Sequence, residues 1–178
     1  KSLRELGYSV FWNLFNTSVH TDIPQNREWT FIICFKDEAD WEFSPGKKSS
    51  SAIFNSYLPL SKSKNKKKFR EMLETGEVDE RYYYKQNAYM YKDLKKSIIS
   101  KDTAYQWRRV YVRENKSNEC PTLTANMGTG GHNVPLIKDD LAIRKLTPRE
   151  CLNFQGFPKS FKFPDDMPVS QRYKQVGN

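Results

Sequence analysis

Residues 120–137 read CPTLTANMGTGGHNVPLI and bring a thiol, three crowded glycines and an imidazole into one short stretch. Three chemistries could use such a set. The first is a phosphate cradle, which needs GxxxxGK[ST], or GxGxxG opening a helix. Here GTGGHNVP runs into Pro135, Leu136 and Ile137, which read as a strand, so no helix N-terminus stands ready for a phosphate. The second is a cysteine nucleophile, whose thiolate needs a helix N-terminus, a cation or a base. Cys120 instead follows Glu119, and His132 lies twelve residues on with no third group to orient it. A buried structural thiol is the better reading. His20 and His132 do not form a metal pair by spacing.

The third chemistry is close approach to something flat and crowded. Thr122, Thr124 and Asn126 alternate with Leu123 and Ala125, which puts small hydrogen-bonding side chains on one face. Gly128, Gly130 and Gly131 then remove side-chain bulk, so that backbone can come near a partner. Just upstream stand Gln106, Arg108 and Arg109. Arginine reads guanine through two parallel donors, and Asn or Gln reads adenine. A polar strand and glycine loop beside an Arg-rich strand make a groove reader. The plainer alternative is a glycine-bearing hairpin whose polar residues face water.

The whole chain supports a polyanionic partner. Its 178 residues carry a net charge of +9, with 14% aromatic and 37% hydrophobic residues. That is enough for a buried core, in one domain or parts of two, and excludes a disordered tail. A basic, aromatic-rich domain suggests nucleic acid first. Cys34, Cys120 and Cys151 are odd in number, widely spaced and without CxxC. This argues against a disulfide framework or zinc knuckle and fits a reducing cytoplasm. No apolar run approaches a membrane span, and no secretory leader is legible. The chain opens on Lys1 rather than Met and closes on QVGN, which is expected of a piece of something longer.

The elements that must position these residues can be read along the chain. KSLRELG reads as a helix end stopped by Gly7; SVFWNLF reads as a strand with Val10, Trp12 and Leu14 on one face. After a turn at Pro24, WTFIICF over 29–35 reads as a mostly buried strand. SPGKKSSSA reads as a loop. SKSKNKKKFREML carries Lys62, Lys64, Lys66, Lys67 and Lys68 into a helical pattern at Phe69, Met72 and Leu73. The lysines are either a solvated face or a contact to phosphates. VDERYYYKQNAYMYKDLKKSII reads as a helix with Tyr and Leu packed inward. YQWRRVYVREN reads as one strand, with Trp107, Arg109, Tyr111 and Arg113 facing one way and Arg108, Val110 and Val112 the other. LTPRECLNFQGFP has Thr147, Pro148 and Glu150 spaced as a capping box with Pro at the first helical position, and Gly156 as its stop. A last helix starts at Ser170.

Three segments together resemble the cytosine-5 DNA methyltransferases. IPQNREWTFIICF is similar to their Gln-x-Arg-x-Arg motif, with Gln25 and Arg27 matching and Trp29 standing where the last Arg is usual. RKLTPRECLNFQGFP resembles their Arg-x-Leu-Thr-x-x-Glu motif through Arg144, Leu146, Thr147 and Glu150, with Asn153 where a later Arg is common. QRYKQVGN resembles their closing motif through Gln171, Tyr173, Lys174, Gly177 and Asn178. The stretch between the first two is where that family keeps its target recognition domain, and PTLTANMGTGG resembles that domain's second DNA-reading loop.

The resemblance implies an α+β fragment. It would comprise a two-stranded edge of a methyltransferase α/β sheet over 1–38, a small strand-rich target recognition domain over 39–143, and C-terminal helical motifs over 144–178 that return to the catalytic domain. It implies a bacterial restriction-modification enzyme that moves a methyl group from S-adenosylmethionine to C5 of a flipped cytosine in a specific double-stranded site. The family's Pro-Cys nucleophile, its Phe-x-Gly-x-Gly donor loop and its Glu-Asn-Val motif have no counterpart here. An N-terminal catalytic half, on the same or a separate polypeptide, is therefore the expected partner besides DNA, and this half alone is expected to be inactive. The residues expected on DNA are Gln106, Arg108, Arg109, Thr122, Thr124, Asn126, Gly128, Gly130 and Gly131, with Lys66, Lys67 and Lys68 as a clamp. Gln25 and Arg27 would support the flipped base, Gly177 and Asn178 would lie near the methyl donor, and Arg144, Leu146, Thr147 and Glu150 would brace the recognition domain. SVFWNLF and WTFIICF would show an exposed apolar edge where the other half docks. The alternative is a non-catalytic DNA-binding module or a subunit of a split enzyme.

Overall fold

A computed structural model describes residues 2–36, 62–115, 117–130 and 132–178. The SPGKKSSSA stretch and Gly131 lie outside these described residues. After a short 3-10 turn at Arg4–Leu6 and Gly7 with φ of 82°, β1 (Ser9–Asn16) and β2 (Glu28–Phe35) form an antiparallel pair from Ser9↔Phe35 to Asn16↔Glu28. The one-turn helix α1 (Thr17–His20) leads out of β1; the Asn16 side chain caps it by accepting from the Ser18 N–H.

Alternation in β1 buries Phe11 and Phe15 and turns Trp12 and Leu14 outward. β2 corrects the expectation of a mostly buried strand: Trp29, Phe31, Ile32 and Phe35 are exposed, Ile32 by 60%. The hairpin is a sheet of two strands only, and among the described residues no layer covers its β2 side. The apolar edge expected at SVFWNLF and WTFIICF is present.

The second sheet runs in the order β4 (Tyr111–Glu114), β3 (Tyr105–Arg108), β5 (Leu136–Lys138), β6 (Ile143–Lys145), every pair antiparallel. YQWRRVYVREN is thus a hairpin and not one strand. Its two-residue turn is Arg109–Val110, with Arg109 at φ of 55°. The turn inverts the phase of the alternation. Gln106 pairs with Arg113 and Arg108 with Tyr111, and directly paired residues share a face. Gln106, Arg108, Tyr111 and Arg113 therefore line one side, and Tyr105, Trp107 and Val112 the other. No Gly, Asn or Asp announces this turn, so residue chemistry alone did not reveal it.

The stretch 78–99 is also corrected from one helix to two short pieces. A 3-10 turn covers Glu80–Tyr82, and α2 covers Tyr91–Ser97. Asp79 caps the Arg81 N–H, Tyr83 bridges to Arg144, and the Tyr84 N–H donates to the Ile143 carbonyl at 3.0 Å. Pairing with β6 draws the tyrosines out of helical geometry. Met90, Leu94 and Ile98, four apart, still form the buried stripe against Tyr105, Leu136 and Ile143. The lysine run enters a 3-10 turn at Phe69–Met72, with Phe69 and Met72 buried.

α3 (Pro148–Phe154) has the capping box its sequence announces. The Glu150 N–H donates to Thr147 Oγ1 at 3.1 Å, and the Thr147 N–H donates to Glu150 Oε2 at 2.8 Å. Gly156, at φ of 83°, follows its C-terminal cap Gln155. α4 (Val169–Gly177) turns Tyr173 and Val176 inward. The larger core gathers Phe69, Leu123, Met127, Ile137, Leu146, Leu152 and Phe154 with these two.

Candidate nucleic-acid interface

A cleft of about 710 Å³ opens between the β3–β4 hairpin and the segment after Cys120. Gln106, Arg108 and Arg113 form one wall, and Thr122, Thr124 and Asn126 the other. Trp107, His132, Asn133, Asn26 and Glu28 also line it. Arg108 Nη2 donates to Gln106 Oε1 at 3.1 Å, which fixes the guanidinium alongside the amide.

The 120–130 segment is not a strand of the sheet. It is extended to Thr124 and then turns through a 3-10 helix at Ala125–Thr129. Leu123 and Met127 point into the core while Thr122, Thr124 and Asn126 stay exposed, so the alternation holds without a full ladder.

Two elements grip this loop. On one side, residues 24–27 zip onto it. The Cys120 N–H donates to the Pro24 carbonyl at 2.7 Å, the Asn26 N–H to the Cys120 carbonyl at 2.9 Å, and Thr122 Oγ1 to the Asn26 carbonyl at 2.8 Å. Arg27 Nη1 donates to the Leu123 carbonyl at 3.2 Å. Gln25 is fully buried beside Cys120, and its amide atoms have no hydrogen-bond partner among the described residues. On the other side lies α4. A Cβ at Gly177 would come within 2.0 Å of the Thr124 carbonyl carbon, and one at Gly128 within 2.5 Å of the Ser170 carbonyl oxygen. The close approach that Gly128 permits is made to α4 inside the chain. Gly130 has open space around it and a φ of 82°.

Other expected site residues lie apart from the cleft. Arg109 sits exposed at the hairpin tip. Lys66 donates to the carbonyls of Ser18 and Thr21, and Lys67 pairs with Asp22 at 2.7 Å. With Lys68 they line a separate cleft of about 510 Å³ that also holds Asp102 and Glu119. Two of the three lysines are therefore already partnered.

Arg144 and Glu150 form a buried two-pronged ion pair, with Nη2 to Oε1 at 2.7 Å and Nη1 to Oε2 at 2.8 Å. Arg144 Nε also reaches Asp139 at 2.6 Å, and the Tyr83 hydroxyl donates to the same carboxylate oxygen at 2.7 Å. Burial opposes the charge on Arg144, yet the two carboxylates outweigh it and raise its pKa. Thr147 joins the network by donating to Glu74, and the Leu146 carbonyl accepts from the Tyr173 hydroxyl, which ties α4 to the segment between β6 and α3.

Cys120 and Cys151 are fully buried, and burial, with Glu150 nearby, pushes both thiols well above their ordinary pKa. Neither is a reactive thiolate. Burial, and then Lys145, lowers the pKa of His132, which favours the neutral imidazole in the cleft. Arg113, Asn133 and His132 were not legible as cleft residues. The signal for Arg113 was its position opposite Gln106, which exists only once the turn at Arg109–Val110 is known. Among the described residues no His, Cys, Asp or Glu group could hold a metal ion, and no helix is long and apolar enough to cross a membrane.

The family model of the C-5 cytosine-specific DNA methylase matches residues 1–178. The chain belongs to this family. It is 43% identical over 180 aligned positions to the Type II methyltransferase M.Bsp6I of Bacillus sp. (strain RFL6), covering 100% of this chain and 53% of that relative. It is 30% identical to the Type II methyltransferase M.SsoII of Shigella sonnei, covering 99% of this chain and 42% of the relative. The fold matches the crystal structure of S. pombe Dnmt2 methyltransferase with a TM-score of 0.63 at 17% identity, over 98% of this chain and 54% of that one. The chain spans about half the length of the relatives it matches.

Proposed function

We propose that this chain is the DNA-recognition portion of a cytosine-5 DNA methyltransferase of a restriction-modification system. The observation that carries the reading is the polar cleft whose two walls are Gln106, Arg108 and Arg113 on one side and Thr122, Thr124 and Asn126 on the other. Forked guanidinium donors and side-chain amides are the groups that distinguish bases in a major groove. The loop wall is held on a core by Leu123 and Met127, so these donors are presented in a set geometry. The net charge of +9 adds attraction to phosphates. Arg109 at the hairpin tip and Lys68 are outlying contacts to the strands.

The reaction requires the target cytosine to leave the stack, attack on C6 by a thiolate, and a methyl group supplied by S-adenosylmethionine. Cys120 and Cys151 are buried with raised pKa, and Cys34, though exposed, follows Ile33 and not a proline, so the thiol is expected from a Pro-Cys segment outside this chain. The bare side of Gly177 is filled by the Thr124–Ala125 backbone, so that side of the turn has no room for a methyl donor. No chemical step is assigned to this chain, and alone it is inactive. Gln25 and Arg27 act by anchoring the reading loop, and Arg144, Leu146, Thr147 and Glu150 by bracing the core behind it.

The remaining half of the enzyme docks on the exposed apolar face of the β1–β2 hairpin. Val10, Trp12, Leu14 and Ile32 share that face, and the relatives extend to about twice this length. Trp29, in place of the usual arginine, favours one second reading: a module that binds DNA without methylating it. Co-expression with a segment carrying Pro-Cys and the donor loop, assayed by transfer of labelled methyl groups to duplex DNA, separates the two. Transfer supports the enzyme; site-selective binding without transfer supports the module; neither binding nor transfer sinks both.

A further inference from the structure

Arg27 and Trp29 form a contact that the cleft itself does not use. The guanidinium carbon of Arg27 lies 4.0 Å from the centroid of the Trp29 ring. Arg27 is buried, and burial lowers its pKa. Among the described residues no carboxylate pairs with it. A desolvated cation without a counter-ion needs other compensation. Here it has two uncharged acceptors, the negative face of the indole and the Leu123 carbonyl.

The placement follows from strand geometry. Arg27 immediately precedes β2 and continues its alternation, so its guanidinium meets the Trp29 ring while Glu28 borders the cleft. The carbonyl that Arg27 holds belongs to the residue between Thr122 and Thr124. A shift of the guanidinium would move that carbonyl and, with it, both reading threonines.

We propose that Trp29 is a positioning residue: its ring face holds the Arg27 guanidinium on the Leu123 carbonyl and thereby sets the loop that carries Thr122 and Thr124. The consequence for sequence preference rests on the function proposed above; the positioning does not. An aliphatic side chain has no electron-rich face, so it cannot replace the indole.

The test compares the full chain with W29F, W29Y and W29L. Nuclear magnetic resonance of the Arg27 guanidinium protons reads the stack directly through the upfield ring-current shift. Backbone amide exchange at Asn26 and Cys120 reads the zip. W29F and W29Y are expected to keep the upfield shift and slow exchange. W29L is expected to lose the shift and to speed exchange at both amides on the order of tenfold, while Leu146 and Cys151 stay as slow as in the parent. Slow exchange in W29L, or W29F as loose as W29L, overturns the proposal. Should W29L fail to fold, the parent spectrum decides, because absence of an upfield Arg27 signal overturns the proposal by itself. Selection from a pool of duplexes with randomised central positions gives the second arm. Broadened preference in W29L extends the proposal to recognition. A loosened loop with unchanged preference leaves the positioning standing and removes the loop from base reading.

Discussion

Gly177 lies against Thr124 so closely that a Cβ would sit 2.0 Å from the Thr124 carbonyl carbon. The last turn of α4 and the reading loop are therefore packed backbone to backbone. One methyl group at position 177 forces them apart. Gly177→Ala is expected to cost ~1–3 kcal/mol, as overpacking does. Gly76 has open space around its Cα, and Gly76→Ala is expected to stay within about 0.5 kcal/mol of the parent. Urea unfolding of the two variants checks both, and equal midpoints would contradict the packing.

Removal of Glu150 takes both forked contacts from the buried Arg144 guanidinium and leaves Asp139 on its Nε. Glu150→Ala is expected to lose roughly 3–5 kcal/mol, because desolvation of the guanidinium is no longer matched. It also removes half of the α3 capping box, since Glu150 accepts the Thr147 N–H. Thermal unfolding measured beside Glu77→Ala, a surface change with no such partners, is the direct comparison.

Recognition is expected to be lost unevenly along the hairpin. Arg113→Ala and Arg108→Ala each remove a cleft donor and are expected to reduce discrimination by about 1–3 kcal/mol per lost base contact. Arg109→Ala, at the tip, is expected to leave preference largely intact and to lower the salt slope by about 0.9, the effect of one phosphate. Binding titrations at several salt concentrations, on selected and scrambled duplexes, measure both quantities. Larger specificity loss at Arg109 than at Arg113 would place the duplex on the hairpin tip and not in the cleft.

The lysine cluster gives a second salt-dependence prediction. Lys66 and Lys67 are engaged inside the chain, so the triple change of Lys66, Lys67 and Lys68 to Ala is expected to lower the salt slope by roughly one phosphate, ~0.9, and not three. A drop near three would show that these side chains leave their partners to meet DNA.

Stability is expected to fall with acid in two stages. Burial, then Lys145, holds His132 below its ordinary pKa, so the unfolded chain binds a proton first. Its contribution is intact above about pH 6.5 and is lost as pH falls from there through the lowered value. Burial pushes Asp139 up, but the Ala142 N–H, the Tyr83 hydroxyl, Arg144 and the Leu141 N–H outweigh it and hold the carboxyl below its usual range. Its contribution is present above about pH 4 and is lost as pH falls through the folded value. Unfolding free energies across pH for the parent and for His132→Gln resolve the first stage; no change between them would contradict it.

What the amino-acid sequence determined by itself was local or periodic. The Thr147–Glu150 capping box, the Gly156 stop, the two N-terminal strands and the outward threonines of the 120s depend on neighbours within a few residues, so their residue types announce them. The motifs around Gln25, Arg144 and Gly177 were legible for the same reason and marked the family. Tertiary structure alone decided what depends on distant pairing. The turn at Arg109–Val110 folds β4 back on β3 without a turn residue, and so brings Arg113 into the cleft beside Gln106. Gly128 and Gly177 meet α4 and the reading loop across about fifty residues of chain. The hold of Arg27 on Leu123 spans 96 residues, and Lys66 reaches back 45 residues to Thr21. Such contacts are selected by the free energy of the whole packed core, which no window of sequence contains.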